Sequence, residues 1–337
     1  MARRSACIAV ARRVAEEARR ILRSAGLLIA GLRPAGAGDK VLFPVEDARR
    51  ALEVLKMQDI TAEPCTAEFE ERKAGPPRLE GPVKGYTRIG DIAVFSHVEG
   101  VSEEHYRRAA QSLVREGVVR AVFLKRQTSG EHRVAVLEHL AGENRTVTTA
   151  KEFGLRFRVD IAREYYNPRL QEERRRVAQA VRDGWRVLDM FAGVGPFSIH
   201  IAAARRARIL AVDINRSAIM HLTENIELNK KKLRGCITPM LADSRILPGF
   251  VRPGFEAIIM NNPTMTPSFL PVACKLAEPG ALIFYYRVAR SCDEAWEEAL
   301  EASPCPLTAL QCVEALDYAP GKLIYRLTLR VTGSESG

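Results

Sequence analysis

The sequence predicts an α/β protein in which a C-terminal doubly wound, Rossmann-like domain is preceded by two smaller α+β domains. Three observations carry this. Between residues 186 and 331 six β-rich segments alternate with helical patterns, as strands of a parallel sheet do when helices cover both faces. One of them, in "LDMFAGVGPFSIHIA" (188–202), runs into two closely spaced glycines and then a helical pattern, which is how a nucleotide-type cofactor turn reads. A stretch rich in proline, glycine and charge, "RKAGPPRLEGPVKG" (72–85), marks a linker near the first third of the chain.

In chain order, apolar residues at helical spacing between Cys7 and Ser24 (Ile8, Val14, Ala18, Ile21, Leu22) predict an amphipathic helix stopped by Gly26. "KVLFPV" follows as a strand and Val45 to Met57 as a second helix, giving a small α/β module over 1–65. After the linker, "RIGDIAVFSHV" alternates like a strand and "EEHYRRAAQSLVREG" is helical. "VRAVFLKRQ", "HRVAVLEHLAG" and "TVTTAKEFGLRFRVDIA" read as further strands, a second unit over 75–160. The third domain, 161–337, opens with "YYNPRLQEERRRVAQAV". It continues through "RVLDMFAG", "ARILAVDIN", "CITPMLADS", "EAIIMNNP", "GALIFYYRV" and "KLIYRLTLRV".

At 337 residues and 47% hydrophobic content, the chain can bury several cores. No apolar run approaches the roughly 20 residues that span a bilayer, and the arginine-studded N-terminus does not read as a signal peptide. A cytoplasmic protein is expected. The seven cysteines are odd in number and form no CxxC pair, so reduced, mostly buried thiols are expected and no metal site. The formal charge of +10 is carried largely by arginine, with basic clusters at 12–23, 169–176 and 230–234; a polyanion such as nucleic acid is the indicated partner.

The glycine turn discriminates between cofactors. A dinucleotide site needs G-x-G-x-x-G, and this turn supplies only Gly193 and Gly195, with Ser198 in the third place. S-adenosylmethionine has no pyrophosphate and fits the relaxed pattern. The two glycines would let backbone approach it, Asp189 precedes them, and Asp213 of "AVDIN" could accept hydrogen bonds from both ribose hydroxyls. Asp243 of "LADSR" is placed to reach the adenine amino group. A nicotinamide oxidoreductase and an RNA-binding protein with a vestigial cofactor fold remain as alternatives. "MNNPT" (260–264) follows the fourth strand, where methyltransferases acting on base nitrogens hold the planar base with an asparagine side chain and a backbone carbonyl.

"NPRLQEERRRV", "VLDMFAGVGPFSI", "AVDIN", "MNNP" and the late "YAP" (318–320), in this order, resemble the tRNA (guanine-37, N1)-methyltransferases of archaea and eukaryotes. "RIGDIAV", "GEHRVAVLEHLAGE" and "TAKEFGLRFRVDIAREYYNPRL" resemble that family's second domain and connecting segment. The resemblance implies S-adenosylmethionine as methyl donor and tRNA as partner, the N-terminal module meeting the tRNA outer corner and the rest the anticodon loop. It also implies a monomer without a metal. It places the general base at Glu173, the active-site arginine at Arg133 and the base-holding asparagine at Asn261, with Tyr165, Phe191 and Pro263 beside the cofactor. By the residues alone, Glu173 reads as a helix-surface carboxylate paired with Arg176, and Arg133 as a solvated strand residue. The family usually has an apolar residue between the asparagine and proline, where this chain has Asn262, followed by Thr264. Archaeal relatives include enzymes that also methylate C7 of the wyosine precursor 4-demethylwyosine. Another relative transfers the aminocarboxypropyl group and generally lacks the N-terminal module.

Overall fold

Cys7, Ile8, Ala9 and Val10 are all buried, too continuous an apolar run for one face of a helix, and they lie in a strand, β1 (Ala2–Ala11). The helix expected from Cys7 therefore begins only with α1 (Ala15–Ser24), which buries Ala18 and Leu22 four residues apart. β2 (Ala35–Ala37) and β3 (Lys40–Pro44) follow. Asp47 then caps α2 (Ala48–Lys56) by accepting hydrogen bonds from the backbone N–H of Arg49 and Arg50. β4 (Ala62–Glu70) completes an antiparallel sheet of order β2-β3-β1-β4. The computed structural model describes residues 2–29, 32–70, 82–83, 85–129, 134–319 and 321–332. By its contacts the chain divides into two compact units, Met1–Arg78 and Leu79–Gly337.

The second unit opens with β5 (Thr87–Ile89) and β6 (Ile92–Ser96), so the single expected strand is a hairpin. Its turn needs Gly90, which takes φ +57° and lies so close to the following ribbon that a Cβ would sit 2.2 Å from Thr148 Oγ1. α3 (Glu103–Arg115), β7 (Ala121–Ser129) and β8 (Val134–Gly142) complete a four-stranded sheet of order β5-β6-β7-β8. β9 (Val147–Glu152) and β10 (Leu155–Asp160) form a separate antiparallel ribbon.

The rest is α4 (Gln171–Ala180), β11 (Arg186–Asp189), α5 (Pro196–Ala204), β12 (Arg208–Asp213), α6 (Arg216–Asn229) and β13 (Cys236–Leu241). Then come β14 (Phe255–Met260), α7 (Thr266–Leu276), β15 (Ala277–Ala289), α8 (Cys292–Ala302), β16 (Leu307–Ala319) and β17 (Lys322–Val331). The seven strands form one sheet, β13-β12-β11-β14-β15-β17-β16. The first five run parallel and β17 pairs antiparallel with both its neighbours. β16 has no counterpart among the expected strands because it is an edge strand with a mostly exposed, weakly alternating sequence.

Alternation splits the sheet's side chains between two cores. Val187, Ile209, Ile259 and Phe284 pack with Val177 of α4 and Phe197 of α5. Leu188, Val212, Ile258 and Ile283 pack with Leu270 of α7 and Ala295 of α8. The first core also takes in Phe157 of the ribbon and Phe123 of β7, so the middle sheet is joined to the large one through shared apolar packing.

The expectation of reduced thiols is corrected. Cys7–Cys65, Cys274–Cys305 and Cys292–Cys312 are disulfide-bonded, and Cys236 is free and exposed. The bonded partners lie 58, 31 and 20 residues apart and are brought together by the fold, Cys7 and Cys65 directly opposite in the β1–β4 register. Spacing alone does not disclose such pairs. Among the described residues no helix is long and apolar enough to cross a membrane, and no cluster of His, Cys, Asp and Glu could hold a metal.

Candidate active site

The strand order reverses between β11 and β14, and in open α/β sheets ligands sit in the crevice at the carboxyl ends of strands where this happens. The segments following β11, β12, β13 and β14 line one cavity there, together with Tyr165 from the segment before α4 and Phe197 from α5. Of the expected cofactor residues, Tyr165, Phe191, Gly193, Asp213, Asp243 and Asn261 all line it.

Gly193 and Gly195 play different parts. Gly193 has φ +55°, and the nearest atom to a Cβ built on it is 3.8 Å away, so the glycine keeps backbone open to the cavity. Its N–H donates to Asp213 Oδ2 at 2.7 Å. Gly195 has φ +85°, and a Cβ there would meet Leu222 Cδ1 at 2.1 Å. It does not line the cavity; it is glycine because α5 starts against α6. Asp213 Oδ1 accepts from the Asn215 N–H at 2.8 Å, which fixes the carboxylate at the end of β12 with its side chain on the cavity wall.

Asp189 is fully buried behind that wall. Its Oδ2 accepts from Ser198 Oγ at 2.7 Å, while Oδ1 has no hydrogen-bond partner among the described residues. Burial pushes its carboxyl up to about 7. Asp243 lines the cavity, but Arg245 grips its carboxylate through Nε at 2.9 Å and Nη2 at 2.6 Å. That contact holds the carboxyl below its usual range. Phe191 and Phe269 meet edge to face at 4.8 Å and supply apolar wall beside these carboxylates. An open glycine backbone, a carboxylate at the end of the second parallel strand and an aromatic wall fit an adenosine-bearing cofactor such as S-adenosylmethionine.

Glu173 is not on the helix surface. It is 3% exposed, with Oε1 accepting from Tyr286 Oη at 2.9 Å and from Arg326 Nε. Oε2 is buried without a hydrogen-bond partner among the described residues, 3.8 Å from Arg176 Nη1. Burial, and then the Glu173 carboxylate, hold the Tyr286 phenol well above its ordinary value, so it stays protonated and donates. Arg326 also donates to Gln311 Oε1 at 3.3 Å. Glu173 does not line the cofactor cavity, but Tyr286 packs on the Phe197 ring that does, at 5.7 Å. Asn261 lines the cavity, whereas Pro263 is buried next to it, its carbonyl accepting from the Val288 N–H at 3.2 Å. Arg133 lies outside the described residues.

Two groups of residues supporting the site have no motif of their own in the sequence. Tyr286 and Arg326 meet Glu173 from β15 and β17, 113 and 153 residues later in the chain. Buried Glu152 accepts from Arg174, from Tyr166 and from His200 Nε2 at 2.9 Å. Arg174 Nη2 in turn donates to the Asn167 carbonyl at 2.9 Å and so ties the "NPRL" segment beside Tyr165 to the ribbon.

Residues 148–304 match the TRM5/TYW2 methyltransferase domain, and residues 7–53 match the tRNA methyltransferase 5 N-terminal domain. The chain is similar to the tRNA (guanine(37)-N(1))-methyltransferase Trm5b of Methanocaldococcus jannaschii, with 32% identity over 96% of this chain and 98% of that protein. Its fold is similar to that of aTrm5 solved in complex with tRNALeu, with a TM-score of 0.70 and 31% identity over 97% and 99% of the two chains. It is also similar to M. jannaschii Trm5 solved in complex with adenosine, with a TM-score of 0.65 and 31% identity over 98% and 100%. Matched along nearly its whole length in sequence and in fold, and carrying the cofactor cavity at its switch point, the chain belongs to the TRM5/TYW2 methyltransferase family.

Proposed function

We propose that this enzyme transfers the methyl group of S-adenosylmethionine to N1 of guanine-37 in the tRNA anticodon loop. The observation that carries the reading is the cavity at the switch point, in which Gly193, Asp213 and Asn261 converge, within a chain matched end to end by a guanine-37 N1-methyltransferase. The match of residues 7–53 to the tRNA methyltransferase 5 N-terminal domain favours methyl transfer over aminocarboxypropyl transfer.

The cofactor supplies a sulfonium-bound methyl group, an electrophile that needs an in-line nucleophile and little else. Asp213 holds the ribose end, and Phe191 and Phe269 give the adenine an apolar wall. Guanine-37 is stacked in its loop and must be extruded to enter the site. Asn261 then holds the edge of the base. N1 of guanine carries a proton at neutral pH, and Glu173 removes it as the methyl group arrives. Oε2, which makes no hydrogen bond among the described residues, is the accepting atom, because Oε1 is engaged by Tyr286 and Arg326. Arg133 stabilises the negative charge that develops on O6.

The N-terminal unit docks the tRNA outer corner through its basic residues, a middle domain and the catalytic domain follow it, and the protein acts as a cytoplasmic monomer. Nucleoside mass spectrometry of tRNA incubated with enzyme and S-adenosylmethionine tests the reaction. 1-Methylguanosine is the expected product; N2-methylguanosine alone would overturn the N1 assignment.

A further inference from the structure

The β5–β6 turn, the residue before β7 and the β9–β10 ribbon line a second cavity that shares no residue with the first. Its charged lining is Arg88, Arg120, Arg145, Lys151 and Arg158 against one carboxylate, Asp91. Asp91 is already engaged: it accepts from Arg145 Nη1 at 3.1 Å, from Arg145 Nη2 at 2.5 Å and from Thr148 Oγ1 at 2.7 Å. Arg158 pairs with Glu224 at 3.2 Å. Arg88, Arg120 and Lys151 have no carboxylate partner among the described residues, and Arg88 donates only to the Gly90 carbonyl at 2.9 Å.

The ribbon register adds an independent sign. It sets Lys151 directly opposite Arg156, two exposed like charges on one face, which is destabilising where no anion lies between them. At the ribbon's turn Lys232 donates to the Gly154 carbonyl and brings another cation to the same end. The frame is stiff, because the Asp91–Arg145–Thr148 bonds and the close approach of Gly90 to Thr148 fix the hairpin turn against the ribbon. Uncompensated cations on a rigid frame, arginine prominent among them, suit phosphate oxygens.

We propose that this cleft binds phosphodiester groups of the tRNA backbone, remote from the methylated nucleotide. The proposal rests on the tRNA reading above. The cleft shares no residue with the cofactor cavity, which holds Asn261, the residue assigned to the edge of the reacting base. Contacts at the cleft therefore add affinity without touching the chemistry.

The test measures tRNA binding as a function of salt for the full-length wild type and for R120Q/K151Q. Expected are at least a tenfold weaker Kd near 0.1 M salt and a plot of log K against log salt that is shallower by about two. Single-turnover methylation at saturating tRNA and S-adenosylmethionine affinity should stay within about twofold of wild type. R120K/K151R keeps the charges and should bind tRNA nearly as wild type does. An unchanged Kd and slope in R120Q/K151Q would overturn the proposal, and so would an equal loss in R120K/K151R. Inorganic phosphate raising the melting temperature of the wild type but not of R120Q/K151Q, with tRNA affinity unaltered, would assign the cleft to a free phosphate compound instead. A wild type that forms no 1-methylguanosine refutes the assigned reaction. A wild type that does form it, beside a variant that binds tRNA normally, refutes the cleft alone.

Discussion

Tyr286 Oη donates to Glu173 Oε1 at 2.9 Å, while Oε2 of the same carboxylate is buried with no hydrogen bond among the described residues. A buried carboxylate hydrogen-bonded through one oxygen keeps the other as a proton acceptor. Glu173→Gln should therefore lower the single-turnover methylation rate by about a hundredfold or more, with S-adenosylmethionine and tRNA affinities close to wild type. Removing the charge also strips buried Arg326 of its counter-ion, so a stability loss of about 3 kcal/mol is expected alongside. Quench-flow kinetics below the lowered melting temperature separates the two effects. A wild-type rate in this variant would mean that another group takes the N1 proton.

Gly193→Ala and Gly195→Ala should fail in different ways. Both residues have positive φ, which costs an alanine about 1 kcal/mol. At Gly193 the added methyl has room but points into the open region at the cavity, so calorimetry should show weakened S-adenosylmethionine binding with a small stability change. At Gly195 it meets Leu222, so the melting temperature should drop by several degrees, with cofactor affinity little altered in the protein that remains folded.

The Asp189 carboxyl, raised by burial from 3.8 to about 7, makes stability depend on pH. The folded state holds this proton more tightly than the unfolded state does. The stabilisation is therefore complete below about pH 4 and is lost as pH rises through about 7. Asp189→Asn mimics the protonated form and removes the titration. Urea denaturation should show wild type gaining on this variant by about 2–3 kcal/mol between pH 8 and pH 5. A pH-independent difference would show that Asp189 does not titrate in this range.

Thiol titration of the denatured protein should find one reactive cysteine, Cys236, before reduction and seven after it. Chain-entropy arguments give each disulfide about 2–4 kcal/mol, so reductant should lower the melting temperature markedly. Seven reactive thiols in protein purified without reductant would contradict the pairing.

Much of the enzyme was legible in one dimension. Strand periodicity, the Gly193–Gly195 turn, and Asp213, Asp243 and Asn261 at strand ends are local patterns, and backbone geometry obliges local patterns to appear in sequence. Cofactor turns follow strand ends, so Gly193, Asp213, Asp243 and Asn261 line one cavity once the parallel strands that carry them pair side by side. The helix expected from Cys7 begins only at Ala15, because the apolar residues before it form a strand buried on both faces. β16 has no such signature, because an edge strand buries too little to leave a pattern.

Tertiary structure alone decided the rest, and in each case the cause is a contact between residues far apart in the chain. Glu173 is a buried, anchored carboxylate because β15 and β17 bring Tyr286 and Arg326 to it. The cysteines pair because strand register and helix packing set them side by side. The basic cleft gathers Arg88, Arg120 and Lys151 from three separate stretches of chain. A sequence records its neighbours along the chain; charge balance and hydrogen-bond satisfaction depend on neighbours in space, and only the fold supplies those.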